Sequence, residues 1–277
     1  MGEAVSSRFK EYTLYSAKEP WRLNVEPFRL APNIYYVGNE WVGAFLVDTA
    51  EGLILIDTVV FETVYLTLEN IRSLGFDPYD IRHIMLSHMH IDHAGGVEAI
   101  AKLTGAKVWL SKEDAELRDM PGAAVAMQFN YMPYEVDEYY EFDKPMNFGD
   151  LSITPVFTPG HTPGTTSFII EMKDENGEKI TAAIHGGVGP LTMTNAVYDK
   201  LNAPYSLRKR FIEDCDRLKN IHIDIAIPSH PSHGNLFARF SGDRRDYHSF
   251  IDAKLWPEFL EERKNIIIEL DNKEGTA

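Results

Sequence analysis

Residues 87–96 read SHMHIDHAGG and place three histidines and one aspartate within six consecutive positions. His88 and His90 are two residues apart, so on an extended backbone their side chains point in the same direction. Asp92 and His93 follow at the predicted start of a helix, where the chain turns and can present them to a second metal ion. Imidazole nitrogens and carboxylate oxygens suit zinc, with iron or manganese as alternatives. The stretch therefore predicts a metal site with two neighbouring positions.

Strands and helices alternate on both sides of this stretch. Runs of β-forming or apolar residues predict strands at 34–38, 43–48, 52–57, 83–87, 107–110, 151–158, 166–172, 179–184 and 224–229. Apolar spacing and capping signals predict helices at 64–74, 94–105, 111–119, 206–219 and 246–269. Two halves that each mix strands and helices predict an α/β fold built as a layered sandwich. The sequence has no glycine-rich phosphate loop after a strand, which argues against a nucleotide-binding fold.

Two later histidines stand in local sequence that would fix their positions. His161 lies between two Pro-Gly elements in VFTPGHTPGTTSF (156–168), and His230 follows a predicted strand in IPSHPSHGN (227–235). A catalytic zinc takes about three protein ligands and keeps one position open for water, so two zinc ions need more ligands than the first stretch supplies. His161 and His230 are therefore predicted as further ligands, with His233 as the reserve candidate for the second of them.

Composition and charge limit the partners of the protein. The 277 residues carry 42 acidic and 27 basic side chains, a net charge of −15, and no basic patch that would attract nucleic acid. No apolar run approaches the roughly 20 residues of a membrane span, and the N-terminus has no apolar signal-peptide core. The single cysteine, Cys215, cannot form an intramolecular disulfide. We therefore expect a cytoplasmic protein (periplasmic if a signal was removed) that acts on a small-molecule substrate and binds neither nucleic acid nor membrane.

The order of these motifs resembles the metallo-β-lactamase superfamily and, within it, the subclass B3 metallo-β-lactamases. The stretches that carry the resemblance are HMHIDH (88–93), FRLAPNIYYVGNEWVGAFLVDTAEGLILIDT (28–58), FTPGHTPGTTSF (157–168), SHPSHGN (229–235) and HSFIDAKLWPEFLEER (248–263). The resemblance runs from about Pro27 to about Glu269. It implies a four-layer αβ/βα sandwich with a two-metal site along one edge. It also implies one domain over 1–277, in which residues 1–20 are an N-terminal extension.

The resemblance further implies how the ligands divide between two zinc ions. One ion would be held by His88, His90 and His161, and the other by Asp92, His93 and His230. A hydroxide bridging the two ions would be the nucleophile, since zinc lowers the pKa of bound water to about 7, and Asp92 would orient it. Asp57, at the end of a predicted strand, resembles a family aspartate that supports the ligand loop, with a strand-end turn as the alternative role.

One stretch departs from the family pattern. Where relatives carry an aspartate or serines after the corresponding strand, this chain reads HGGVGP (185–190), with neither a carboxylate nor a serine. His185 is a candidate extra ligand, a binder of a substrate carboxylate, or a histidine that only fills space at the strand end.

Residues 120–135 are rich in methionine and aromatic side chains and predict a long loop near the site. Met127, Phe129, Tyr131 and Tyr134 would either line an apolar substrate pocket or pack the loop against the core. Methionine and aromatic side chains accommodate varied ligands, so we expect a substrate with apolar or aromatic parts.

Three functions are consistent with the sequence. The first is dinuclear zinc hydrolysis of a cyclic amide, a β-lactam or a similar ring. The second is zinc hydrolysis of lactones, esters or thioesters, as in the homoserine-lactone lactonases or the glyoxalase II group, although the missing aspartate in 185–190 weighs against it. The third is oxidation or reduction at one or two iron ions on the same fold. A metal-free binding module and a nuclease are disfavoured, by the complete ligand set and by the negative charge respectively.

Overall fold

The first half of the chain forms a seven-stranded sheet in the computed structural model, which describes residues 2–120 and 129–275. Its strands, side by side in chain order, are β1 (Phe28–Ala31), β2 (Ile34–Tyr36), β3 (Phe45–Thr49), β4 (Gly52–Ile56), β5 (Ile81–Met85), β6 (Lys107–Leu110) and β7 (Glu138–Tyr139). Pairing is antiparallel from β1 to β4 and parallel from β4 to β7. Parallel neighbours need crossover connections, which here contain helices.

The helices of this half precede the sheet or connect its parallel strands. They are α1 (Gly2–Lys18), α2 (Val64–Ser73), α3 (Ile91–Ala94), α4 (Val97–Thr104) and α5 (Lys112–Leu117). The last of these begins as predicted at Ser111, whose side-chain oxygen accepts a hydrogen bond from the backbone N–H of Asp114.

The second half forms a five-stranded sheet. In chain order its strands are β8 (Met146–Phe148), β9 (Leu151–Phe157), β10 (Thr166–Lys173), β11 (Lys179–His185) and β12 (Ile225–Pro228). They lie in the order β12-β11-β10-β9-β8, and only the β11–β12 pair is parallel. Helices α6 (Asn195–Leu201) and α7 (Ser206–Leu218) connect that pair, and α8 (Leu255–Glu274) follows β12.

Successive side chains of a strand point to opposite faces of its sheet and so belong to different hydrophobic cores. Leu53 and Leu55 of β4 pack in a core with residues of α2 and α4, whereas Ile54 and Ile56 face the core between the two sheets. A third core lies between the second sheet and helices α7 and α8. The layers therefore run helix, sheet, sheet, helix, which confirms the predicted four-layer αβ/βα sandwich.

Two helix predictions differ from the structure, and two of the described helices were not predicted. The last helix begins at Leu255 rather than 246, because Asp246 and Asp252 accept hydrogen bonds from backbone N–H groups two residues later and hold turns there. The helix predicted at 94–105 is divided at Gly95 and Gly96. Helices α1 and α6 were not predicted. Within residues 2–120 and 129–275, no helix combines the length and apolar character needed to cross a bilayer.

Candidate metal centre

The candidate ligands lie on three loops that follow strand ends. The loop after β5 carries His88 and His90 and leads directly into α3, which contains Asp92 and His93. His161 lies in the loop between β9 and β10, and His230 comes two residues after β12. The edge at which the two sheets meet therefore collects all six predicted ligands.

His88, His90 and His161 form the first group. One ligand atom from each lies within 4.8 Å of the other two, and Nδ1 of His90 is 3.1 Å from Nε2 of His161. Nδ1 of His161 lies 2.9 Å from the carbonyl oxygen of Gly189, which can only accept. The ring proton of His161 is therefore on Nδ1, and Nε2 presents its lone pair to the group.

A hydrogen-bonded relay sets the tautomer of His88. The Ser87 hydroxyl donates to the Asp57 carboxylate at 2.7 Å, so its oxygen accepts from Nδ1 of His88 at 2.9 Å. Nε2 of His88 is then left with a lone pair, and it is buried with no hydrogen-bond partner among the described residues. A buried acceptor without a partner is unfavourable, and a metal ion would satisfy it.

Asp92, His93 and His230 form the second group. Nε2 of His93 lies 3.2 Å from Nε2 of His230 and 3.5 Å from the Asp92 carboxylate, which is 3.3 Å from Nε2 of His230. Nδ1 of His93 donates to Asp57 at 2.8 Å, and Nδ1 of His230 donates to the carbonyl oxygen of Trp41 at 2.9 Å. Both Nε2 atoms are thus held toward the carboxylate. The two groups adjoin, since the centroids of the His88 and His93 rings are 4.2 Å apart.

Electrostatics keep the first group neutral and Asp92 ionised. Burial, followed by repulsion from neighbouring imidazoles, lowers the pKa of His88 and His90 well below the usual value. Burial lowers the pKa of His161 to about 4. Burial alone would raise the pKa of Asp92, but His93 and His230 outweigh it and the pKa is lowered. Neutral imidazoles and an ionised carboxylate are the forms that bind a metal ion, typically zinc.

The other predicted site residues lie outside these two groups. His185 is buried at the end of β11, where Nδ1 accepts from the backbone N–H of Gly187 at 3.3 Å and the ring lies 5.6 Å from that of Phe211. The ring of His233 is 5.0 Å from that of His230, and its Nδ1 is buried with no partner in the described part of the chain. The roles of both histidines remain predictions.

The described end of the predicted aromatic loop, residues 129–135, is packed against the core that contains Leu53 and Leu55. The ring of Phe129 lies 5.9 Å from that of Trp41, and the Tyr131 hydroxyl donates to Asp119 at 2.6 Å. The centroids of the Trp41 and His230 rings are in turn 6.2 Å apart, so Trp41 lies between Phe129 and this candidate ligand. Met127 lies outside the described residues.

The glycines of 185–190 pack tightly against the site. A Cβ atom on Gly187 would lie 2.5 Å from Cδ2 of His161, and one on Gly186 would lie 2.0 Å from the backbone oxygen of Thr166. Neither position can take a serine or an aspartate on this backbone. The departure from the family pattern is therefore built into the packing of the loop.

Sequence reasoning missed several residues that hold the ligands in place. Besides Ser87 and Trp41, Thr192 places its hydroxyl 2.7 Å from Nδ1 of His161. The contacts of Trp41 and Thr192 come from carbonyl and hydroxyl groups on other loops, and no local sequence signal marks them.

Known proteins resemble this chain in sequence and in fold. Residues 42–176 match the family model of the metallo-beta-lactamase superfamily. The chain is 30% identical over 117 residues to the N-acyl homoserine lactonase AttM of Agrobacterium fabrum, a match that covers 38% of this chain and only 41% of that relative.

Two solved structures are similar over most of the chain. The metallo-beta-lactamase GOB-18 of Elizabethkingia meningoseptica has a TM-score of 0.80 and 28% identity, covering 92% of this chain and 95% of that chain. The subclass B3 metallo-beta-lactamase BJP-1 of Bradyrhizobium japonicum has a TM-score of 0.77 and 25% identity, covering 93% and 98%.

Proposed function

We propose that this chain, a member of the metallo-β-lactamase superfamily, is a dinuclear zinc hydrolase that opens a cyclic amide, either a β-lactam or a similar ring. The observation that carries the proposal is the convergence of five ring nitrogens and one carboxylate in two adjoining groups. Hydrogen bonds on the opposite nitrogens of four of those rings fix which nitrogen faces the site. The similarity to GOB-18 and BJP-1 over more than nine tenths of this chain supports a related chemistry.

Each group of residues has a distinct role in this proposal. His88, His90 and His161 would hold one zinc ion, and Asp92, His93 and His230 the other. A bound zinc ion would lower the pKa of a bound water to about 7 and polarise a carbonyl oxygen. The ionised carboxylate of Asp92 would accept a hydrogen bond from the attacking oxygen and orient it.

Apolar side chains lie beside the proposed zinc centre. Trp41 and Phe129 place apolar surface beside His230 and would contact apolar parts of a substrate. We also propose that the substrate is a small molecule rather than a nucleic acid, in view of the net charge of −15.

A second candidate function is hydrolysis of a lactone. The sequence match to the lactonase AttM supports it, but that match covers only two fifths of the relative's length, at 41%. The tight packing at Gly186 and Gly187 weighs against it, because no carboxylate can be added there without displacing Thr166 or His161.

The test compares two substrates on one zinc-loaded protein. Metal content is measured first, and then turnover of a chromogenic cephalosporin and of an N-acyl homoserine lactone, with His161→Ala as the blank. Zinc-dependent cleavage of the cephalosporin that is lost in the variant would support the proposal. Cleavage of the lactone alone would favour the second candidate. A protein that binds no metal would refute both.

A further inference from the structure

A carboxylate that no sequence signal singled out connects two of the ligand loops. Asp114 lies in the first turn of α5 and is fully buried. Its Oδ2 atom accepts hydrogen bonds from the backbone N–H of Met89 at 2.9 Å and from the Thr162 hydroxyl at 2.8 Å. Its Oδ1 atom accepts from the backbone N–H of Gly164 at 2.7 Å. All three donors belong to loops, and none belongs to the helix that carries Asp114.

The donors adjoin the ligands of the first group. Met89 stands between His88 and His90, and Thr162 directly follows His161. The two loops are 71 residues apart in sequence, yet Nδ1 of His90 and Nε2 of His161 lie 3.1 Å apart. A single carboxylate that accepts from both loops fixes their separation at the point where the ligands must converge.

The start of α5 is shaped to bring Asp114 to this position. The Ser111 hydroxyl accepts from the backbone N–H of Asp114 at 3.2 Å and so begins the helix against the loop. A Cβ atom on Gly164 would lie 2.1 Å from that hydroxyl oxygen and 2.6 Å from the backbone nitrogen of Asp114. Only glycine at 164 allows the helix to approach closely enough for both carboxylate oxygens to reach the loop.

Keeping a carboxylate at this position is unfavourable by itself. Burial raises the pKa of Asp114 to about 6, even though three hydrogen bonds oppose the shift. An apolar residue at 114 would leave the backbone N–H groups of Met89 and Gly164 without this acceptor, so the contribution of the carboxylate lies in the loops that it joins.

We propose that Asp114 is a positioning residue that sets the affinity of the metal position formed by His88, His90 and His161. It does so by holding the two loops together, without touching metal or substrate. The proposal rests on the proposed two-metal function. It concerns only the first group, because in the second group His93 is held by Asp57 and His230 by Trp41.

The test is zinc affinity of the Asp114→Asn variant, measured by competition with a chromophoric chelator. Asparagine keeps the size of the side chain, but its amide group faces at least one N–H or O–H donor and breaks that hydrogen bond. We expect one of two zinc ions to bind about 10- to 100-fold more weakly while the other is unchanged. Asp214→Asn is the matched control, because Asp214 is also a buried aspartate but pairs with Arg210 and Arg217 on α7.

A second pair of variants covers the case in which Asp114→Asn does not fold. Thr162→Val removes one of the three hydrogen bonds and should weaken the same zinc ion, whereas Thr162→Ser keeps the hydroxyl and should restore the affinity. Three outcomes would overturn this inference while the proposed function stands. They are wild-type zinc affinity in Asp114→Asn, an equal loss of zinc affinity in Asp214→Asn, and equal zinc affinities in the two Thr162 variants. A wild-type protein that binds no zinc would overturn the proposed function as well.

Discussion

Asp57 and His93 are joined by a hydrogen bond of 2.8 Å between Oδ2 and Nδ1, and the same carboxylate accepts from the backbone N–H and the hydroxyl of Ser87. Through these three bonds Asp57 sets the ring of His93 directly and that of His88 through Ser87. One buried carboxylate thus orients a ligand in each of the two groups. Asp57 has a φ of 60°, a backbone conformation that asparagine also tolerates.

Asp57→Asn should therefore lower the zinc affinity of both proposed metal positions without straining the backbone. In one orientation the amide nitrogen would face the backbone N–H of Ser87 and loosen the loop that carries His88; in the other it would face both the Ser87 hydroxyl and Nδ1 of His93. We expect about 10- to 100-fold lower affinity at each position, measured by chelator competition. Weakening of only one ion would show that the Ser87 relay does not orient His88.

His161→Ala should abolish hydrolysis and leave the fold intact, because the ring adds a ligand from a loop that Asp114, Thr162 and Thr165 already hold. Turnover, zinc content and circular dichroism check the result. His222→Ala is the control, since His222 is exposed and pairs only with Asp224 among the described residues. Unchanged turnover in His161→Ala would refute the ligand assignment.

Gly187→Ala should displace the ring of His161, which a Cβ atom would approach to 2.5 Å. A misplacement of about 1 Å at a catalytic centre can cost on the order of 100-fold in rate, so we expect a large loss of turnover together with lower zinc occupancy. Gly234→Ala is the comparison, because its Cβ would meet only the ring of Pro228, at 3.1 Å. Equal activity of both variants would contradict the packing described for the glycine loop.

His185 gives the protein a pH dependence that can be isolated. Burial, followed by the charges of His161 and Arg263, lowers the pKa of His185 to about 3. An imidazole whose pKa is lower in the folded state favours folding above its unfolded pKa of about 6.5, and this contribution is lost as the pH falls through that value toward 3. Between pH 8 and pH 5 the loss from this group is about 2 kcal/mol.

His185→Phe should remove that contribution, since phenylalanine suits the aromatic surroundings of Phe211 and Trp256 and does not titrate. Urea unfolding of the metal-free proteins at pH 8 and pH 5 gives the comparison. The variant should lose less free energy of unfolding on acidification than the wild type. An equal loss in both proteins would mean that His185 is already charged when folded.

Local signals were enough to predict a layered α/β sandwich and the candidate ligands, whereas the four-layer order and the division of the ligands into two groups came from the family resemblance. The spacing of His88 and His90, the capping by Ser111 and the Pro-Gly elements around His161 all act over a few residues, so their effects can be read directly from the chain. The strands β2 to β6 and β9 to β12 were predicted for the same reason, since alternation and apolar runs are local properties, whereas the short strands β1, β7 and β8 were not predicted.

Contacts between distant segments could not be predicted in this way. An acid in the first turn of a helix often faces solvent, whereas the loops at Met89 and Gly164 both donate hydrogen bonds to buried Asp114. Likewise, nothing near Thr192 or Trp41 in the sequence indicates that each would contact a candidate ligand histidine. The predicted start of α8 was wrong because the side chains of Asp246 and Asp252 compete with the helix for backbone N–H groups.

The packing at Gly186 also restricts how this chain could evolve. A single mutation that placed an acidic or hydroxyl side chain there would drive its Cβ atom to 2.0 Å from the oxygen of Thr166, at the start of β10. Such a mutant must first tolerate a shift of that strand, which follows the loop carrying His161. To gain a side-chain oxygen at position 186, the chain would therefore pass through an intermediate with a damaged metal centre. A compensating change in β10 that arises first would avoid this.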